Sequence, residues 1–242
     1  MRRNGVVLHL SRIRVWLAIA LLAAAGLASG PPPALADDVM DATQLVERAR
    51  HTMDNFAADP NMEALRDLVK QAKGVFVAPQ VLRGAFIFGA AGGSGVLLAR
   101  DEKSGQWGGP TFHTIGEASF GLQIGGEASE IVLVALSDRG VAALLSHSVK
   151  LGADANISVG PIGAGATAAT ANLSADIISF SRSKGLYGGV SVQGAVVASR
   201  EALNKAYYGK DVTSTDILIR RTVTNPHAAG LIEAVAKMAG GK

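Results

Sequence analysis

The first regular pattern in the chain is helical. Over residues 41–57 apolar side chains recur every three or four positions, which places them in one stripe along an amphipathic helix. Asp59-Pro60 follows, a capping residue type and then a proline of the kind that occupies the first helical position. A second helix is therefore predicted to begin there and to end near Lys73-Gly74.

From Val75 onward the apolar period changes to two, which is typical of strands with one buried face. The predicted strands lie at residues 75–78, 85–88, 96–99, 120–124, 131–136, 155–159, within 164–180, and at 190–198. Ser137 and Ser199 are predicted to cap helices over residues 138–147 and up to Tyr207, and Asn225-Pro226 to begin a terminal helix. Short strand spacing with few long crossovers favours an antiparallel sheet.

The predicted sheet is unusually rich in glycine. The chain has 29 glycines in 242 residues, against a usual share of about 7%, and many stand inside or beside strands. Because a glycine in a strand costs roughly 0.5–1 kcal/mol relative to alanine, we expect a sheet that bends sharply or is closely approached by another layer. Gly194 is predicted to mark a bulge or a close backbone approach in the last strand. The predicted fold is a single α+β domain whose strongly curved, barrel-like, mainly antiparallel sheet is flanked by N- and C-terminal helices.

The first 36 residues have the layout of a secretory signal peptide. A stretch with four arginines precedes an apolar run at 15–28, and the segment ends in Ala34-Leu35-Ala36, a typical cleavage site. The alternative is a retained anchor, but the run is shorter than the ~20 residues that a spanning helix needs. We expect residues 1–36 to be removed and residues 37–242 to form the domain, exported to a periplasmic or extracellular space.

Removal of that segment changes the charge argument. The whole chain carries +3, whereas the mature chain has 19 basic and 20 acidic residues and a net charge of −1. Net charge therefore gives no support to a nucleic-acid partner, and no basic stripe with interleaved aromatic residues is present. The chain also has no cysteine, which excludes disulfides, thiolate metal sites and lipid anchors attached through cysteine.

Sequence motifs for catalysis are missing. The glycine-rich stretch at 89–95 lacks the Gly-Lys-Ser/Thr ending of a phosphate-binding loop and is followed by a strand, so it is interpreted as a strand turn. No G-x-S-x-G elbow occurs, and the histidines form neither an H-E-x-x-H nor a His-x-His pair. The chain is predicted to be no enzyme and to need no metal or cofactor, with a hydrolase kept as a lesser alternative.

An ordered series of segments is more specific than any single motif. It includes Gly-Gln-Trp-Gly-Gly-Pro at 105–110 and Ser-Lys-Gly-Leu-Tyr-Gly-Gly-Val at 183–190. The other segments are 73–79, 89–100, 121–125, 151–154 and 160–161, with Asn204, Tyr208-Gly209 and Ile217-Leu218. In this series the chain resembles the SYLF domain family over nearly the whole mature length.

That resemblance implies a non-enzymatic domain that binds anionic lipids, phosphoinositides especially in eukaryotic members, some of which also bind actin. For an exported chain the expected partner is anionic phospholipid of an envelope membrane, rather than actin. The helix at 41–57 could enter the interface, or it could be a lid on the core. The basic candidates for headgroup contacts are Lys70, Lys73, Arg83, Arg182 and Lys184. The main alternative function is a structural or scaffold protein of the envelope that works through protein contacts.

Overall fold

Helices, strands and helices follow one another in the predicted order. The computed structural model describes residues 35–85, 88–120, 125–163, 174–183, 186–187 and 192–241, and residues Asp38–Lys242 form one compact unit. The helices are α1 (Leu35–Ala58), α2 (Glu63–Gln71), α3 (Asp138–Leu145), α4 (Glu201–Tyr208), α5 (Ser214–Leu218) and α6 (Ala229–Met238), with 3₁₀ turns at Pro60–Met62 and Pro226–Ala228. The strands are β1 (Gly74–Ala85), β2 (Phe88–Arg100), β3 (Trp107–Phe120), β4 (Gly125–Ala135), β5 (Ser148–Lys150), β6 (Ile157–Val159), β7 (Ile177–Ser183), β8 (Leu186–Tyr187) and β9 (Val196–Ser199).

All described strands belong to one sheet. Their order is β5-β9-β3-β2-β1-β4-β7-β6, with β8 paired to β7. Every pair is antiparallel except β6 with β7. The predicted α+β class with a mainly antiparallel sheet is therefore confirmed, and β1 lies at its centre between β2 and β4.

The two edge strands show how strongly this sheet curls. β5 and β6 lie at opposite ends of the strand order, yet they are consecutive in the chain and joined by residues 151–156. That link turns back on itself, since the amide of Gly152 donates to the carbonyl of Ala155 at 2.9 Å. Eight flat strands would hold their edges about 34 Å apart at ~4.8 Å per strand. The sheet instead curls into a half-barrel, as the glycine content predicts.

A bulge in β1 explains one of the glycines of β2. Pro79 has no amide hydrogen to donate and stands in the central strand, where proline is tolerated at a bulge. The register shifts there against both neighbours, between Val77 and Gln80 and between Ala78 and Val81. A Cβ atom on Gly93 would collide with the carbonyl oxygen of Gln80, so the bulged strand approaches β2 more closely than any side chain allows.

Several sequence expectations need correction. The stretch at 89–95 lies within β2 and is not a strand turn, and two of its glycines, Gly93 and Gly95, allow close packing against β1. Gly194 marks neither a bulge nor a close approach: it lies in a turn before β9 with φ of +90°, and a Cβ built there would have no atom within 4 Å. Ser199 belongs to β9, and α4 begins two residues later without a side-chain cap. The predicted caps Asp59, Ser137 and Asn225 are confirmed by their side-chain hydrogen bonds.

Both faces of the sheet are buried over its inner half. One face packs with α1, α2, α4 and α6, and the other with α3, α5 and the short strands. The stripe of α1 is 0–3% exposed and consists of Ala42, Leu45, Val46, Ala49, Met53 and Phe56. The structure therefore makes the helix predicted at 41–57 a lid on the core.

His113 is the basis of a prediction about pH. Its ring is fully buried against Phe76, its Nε2 lies 2.9 Å from the Thr111 hydroxyl, and burial lowers its pKa to about 4. In the unfolded chain this histidine takes up a proton near pH 6.5, whereas the buried ring stays neutral until about pH 4. The free energy of unfolding is therefore highest above pH 6.5 and decreases as the pH falls towards 4. The loss should reach about 3 kcal/mol in urea unfolding at pH 4.

The matched variant is His113→Gln, whose amide can still meet Thr111. Its free energy of unfolding should fall by about 3 kcal/mol less than that of the native chain between pH 6.5 and 4. Identical pH slopes for the two proteins would contradict a neutral buried histidine.

Candidate functional site

The β1 bulge and helix α1 frame a pocket, here called the α1 pocket. It has a volume of about 680 Å³ and opens to the surface. Its lining comes from α1, the bulge, β4 and β7 and consists of Arg48, His51, Thr52, Pro79, Gln80, Ala128, Ser129, Glu130 and Arg182. Residues more than 130 positions apart in the chain thus meet at one place.

A polar cluster lies at the wall of this pocket. Glu130 and Arg182 are direct partners in the β4–β7 ladder, and Arg182 Nε donates to Glu130 Oε2 at 2.6 Å. The other carboxylate oxygen accepts the hydroxyl of Thr52 at 2.9 Å, which links α1 to the sheet. The Arg182 guanidinium also lies 5.4 Å from the centre of the Phe56 ring, a cation–π contact. Arg182 is therefore held in place on two sides while 19% of its side chain stays exposed.

Arg48 supplies a second cation from the helix. It is exposed, and within the part of the chain that the structure describes it makes no ion pair. The pocket thus holds two guanidinium groups against the single carboxylate of Glu130, with His51 beside them. A guanidinium group presents a planar fork of N–H donors. It can therefore form two parallel hydrogen bonds to a phosphate or carboxylate, whereas a lysine ammonium group acts as a point charge. The arrangement is suited to holding an anion.

Two of the predicted headgroup contacts lie elsewhere. Lys70 on α2 pairs with Asp67 at 2.7 Å. Lys73 precedes β1 and contacts both Asp138 at 2.6 Å and Glu102 at 2.8 Å, and these hydrogen bonds raise the pKa of its ammonium group. Each of these lysines thus already has a carboxylate partner.

The remaining candidates are also separated. Arg83 pairs with Glu117 at 3.1 Å on the sheet face opposite the α1 pocket, Arg182 lines the pocket, and Lys184 lies outside the described residues. The structure therefore does not bring the four described candidates together. Whether each of them binds lipid stays a prediction.

Several residues of the α1 pocket are not among the predicted headgroup contacts, although the sequence contains a signal for some of them. Arg48, His51 and Thr52 stand three and four positions apart on one helix, so they share a face beside the buried stripe. Glu130 had no such signal, because its role depends on the register between β4 and β7.

Burial limits how α1 can act at a membrane. Withdrawing its stripe from the core would expose four large apolar side chains, each worth about 1.5–3 kcal/mol, or on the order of 8 kcal/mol in total. That approaches the entire stability of an ordinary domain. Withdrawal of the buried stripe is therefore costly, whereas the exposed face of α1 is accessible without any unfolding.

The described residues contain neither a metal-binding cluster nor a membrane-spanning helix. Among them, no group of three or more histidine, aspartate or glutamate side chains could hold a metal ion. No helix in the described ranges is both long and apolar enough to cross a membrane. Residues 1–34 lie outside those ranges, so the signal peptide and export remain predictions.

Fold and pocket define an α+β domain built on a curled, helix-covered sheet, with a cation-lined cavity at the sheet's bulge. The Ysc84 family, described as "Las17-binding protein actin regulator", matches residues 116–238, half of the chain. The chain belongs to this family, which is the SYLF domain family that its sequence resembles.

The chain is similar to eukaryotic proteins over most of its length. Protein YSC84 of Saccharomyces cerevisiae is 34% identical over 177 residues, which cover 71% of this chain and 37% of the yeast protein. LAS seventeen-binding protein 3 of the same yeast is 33% identical over 64% of this chain and 34% of its own length. The human SH3 domain-containing YSC84-like protein 1 is 32% identical over 69% of this chain and 48% of its own length. The chain thus spans less than half of these relatives.

The hydrogen bond between α1 and the sheet can be tested with Thr52→Val, which keeps the shape of the side chain. Loss of the bond to Glu130 should lower the free energy of unfolding by about 1–2 kcal/mol in urea titrations. Thr43→Val is the control, because that hydroxyl donates to carbonyls of its own helix, at Val39 and Met40. Equal losses in both variants would show that the link contributes nothing specific.

Proposed function

We propose that this protein binds anionic phospholipid headgroups at a membrane surface of the cell envelope and catalyses no reaction. The observation that carries the proposal is the convergence of Arg48 and Arg182 on one open pocket with a single carboxylate, Glu130. A phosphodiester fits that charge balance and the donor geometry of two guanidinium groups. The predicted signal peptide supports the envelope as the location.

In this proposal the two arginines have different roles. Arg48 is exposed and makes the first electrostatic contact with a headgroup. Arg182 is paired with Glu130. A phosphate that enters the pocket must therefore replace the Glu130 carboxylate as the partner of the guanidinium group. Because one anion then replaces another, the net gain is small and Glu130 limits the affinity.

Attraction to the membrane must be local in this account. The mature chain has a net charge of −1, so no long-range field draws it to an anionic surface. Each basic side chain near such a surface contributes about 1 kcal/mol, and the effect decays within a Debye length of about 8 Å at physiological salt. Binding should therefore be weak, reversible and sensitive to salt.

A second candidate function is a scaffold that binds other proteins, and the relatives' names favour it. A groove of about 560 Å³ beside Lys73 offers a surface for it, with apolar Leu218 and Ile219 next to charged side chains. Ile219 is 55% exposed. In this alternative, vesicle binding would depend on neither lipid charge nor salt.

Arg48→Gln separates the two candidates. The exposed helical site tolerates glutamine, so the thermal midpoint should stay unchanged. Co-sedimentation with phosphatidylglycerol/phosphatidylcholine vesicles should fall about fivefold, the effect of losing ~1 kcal/mol of headgroup attraction, and pelleting with pure phosphatidylcholine should be low for both proteins.

Lys210→Gln provides the matched control, because Lys210 is an exposed cation outside the pocket lining. It should pellet with anionic vesicles like the native chain. Equal losses for Arg48→Gln and Lys210→Gln would contradict a localised site, and pelleting indifferent to lipid charge and salt would favour the protein-contact candidate.

A further inference from the structure

The α1 pocket continues onto an exposed part of the sheet. Beyond the bulge, β1 continues to Ala85, and Leu82 on this extension is 56% exposed. Leu82 is the ladder partner of Ala128, which itself lines the pocket. The exposed leucine is thus adjacent to the pocket wall.

The distance from the charges to this leucine is short. Ala128 and Glu130 are two residues apart on β4 and face the same way, a separation of about 7 Å. Glu130 in turn contacts Arg182. A molecule whose anionic group contacts Arg182 can therefore place atoms only a few bonds away against Leu82.

No described residue covers this extension. A Cβ atom built on Gly84 would have no atom within 4 Å, and the neighbouring Ala90 and Gly92 on the same face are exposed. In the inner half of the sheet the same face is covered by helices. Within the described residues, the outer half is an uncovered apolar surface that begins at a cationic pocket.

An occupant of both parts must carry a negative charge at one end and apolar atoms next to it. A phospholipid has that order of groups: phosphate, glycerol, then acyl chain. A flat membrane surface would present only headgroups to the pocket and would leave the sheet extension unexplained. The charges at the border thus select an anionic amphiphile.

We propose that the outer face of β1 and β4 around Leu82 is an acyl-chain subsite, so that one phospholipid molecule binds with its phosphate in the α1 pocket and its first methylene groups against Leu82 and Ala128. This inference rests on the proposed function. It adds that the protein contacts the apolar part of a single lipid as well as the headgroup.

The test compares two probes that differ only in their acyl chains. These are glycerophosphoglycerol, the deacylated headgroup with the same phosphodiester, and dihexanoyl phosphatidylglycerol below its micelle concentration. The affinity of each for the mature chain is measured by isothermal titration calorimetry. The native chain should bind the dihexanoyl lipid more tightly than glycerophosphoglycerol.

Leu82→Ser should weaken binding of the dihexanoyl lipid about fivefold to tenfold and leave the affinity for glycerophosphoglycerol unchanged. Ile219→Ser is the matched control, because Ile219 is equally exposed but lies outside the α1 pocket lining, and it should change neither affinity. Both serine variants replace exposed side chains, so circular dichroism should report an unchanged fold.

The outcomes separate the two proposals. If Leu82→Ser leaves both affinities unchanged or lowers both equally, the acyl subsite is wrong while headgroup binding stands. If neither probe binds the native chain, the proposed function fails and the subsite with it. If Leu82→Ser instead dissociates a dimer in sedimentation equilibrium without lipid, the face pairs two copies of the chain and the inference is overturned.

Discussion

A proline in the central strand is the constraint on which the sheet and its pocket depend. Pro79 cannot donate to a neighbouring strand, so both ladders of β1 shift register around it. The bulged backbone approaches β2 so closely that position 93 accepts only glycine. The same bulge forms the wall of the α1 pocket and separates the covered inner half of the sheet from its exposed outer half.

The elements whose signals are local could be predicted from the sequence. The stripe of α1, the caps at Asp59, Ser137 and Asn225 and the curl implied by glycine all follow from neighbouring residues. Strand β3 could not be predicted, since its first half contains Gly108-Gly109-Pro110 and has no clear alternation. The five-residue helix α5 was missed because it is too short for a periodic pattern.

The candidate site depended on pairing that no local pattern shows. Lys73 has the sequence context of a free cation, yet Asp138 lies 65 residues away in the chain and contacts it through the fold. Arg83 has a comparable partner in Glu117, set by two strand registers. Conversely, Arg48 and Arg182 line one pocket because α1 packs over the β4–β7 ladder. Sequence can name basic residues, whereas the fold decides where each of them lies and which carboxylate it contacts.

An anionic headgroup that takes the place of Glu130 beside Arg182 should bind better when this carboxylate is replaced by a neutral amide, as in Glu130→Gln. The affinity of this variant for dihexanoyl phosphatidylglycerol at fixed salt and pH 7 is compared with that of Glu117→Gln, the equally buried partner of Arg83 on the opposite face. Glu130→Gln should unfold at a lower temperature without lipid yet bind the lipid severalfold more tightly, while Glu117→Gln should bind like the native chain. Unchanged or weaker binding by Glu130→Gln, or the same gain in Glu117→Gln, would show that no headgroup replaces Glu130 at Arg182.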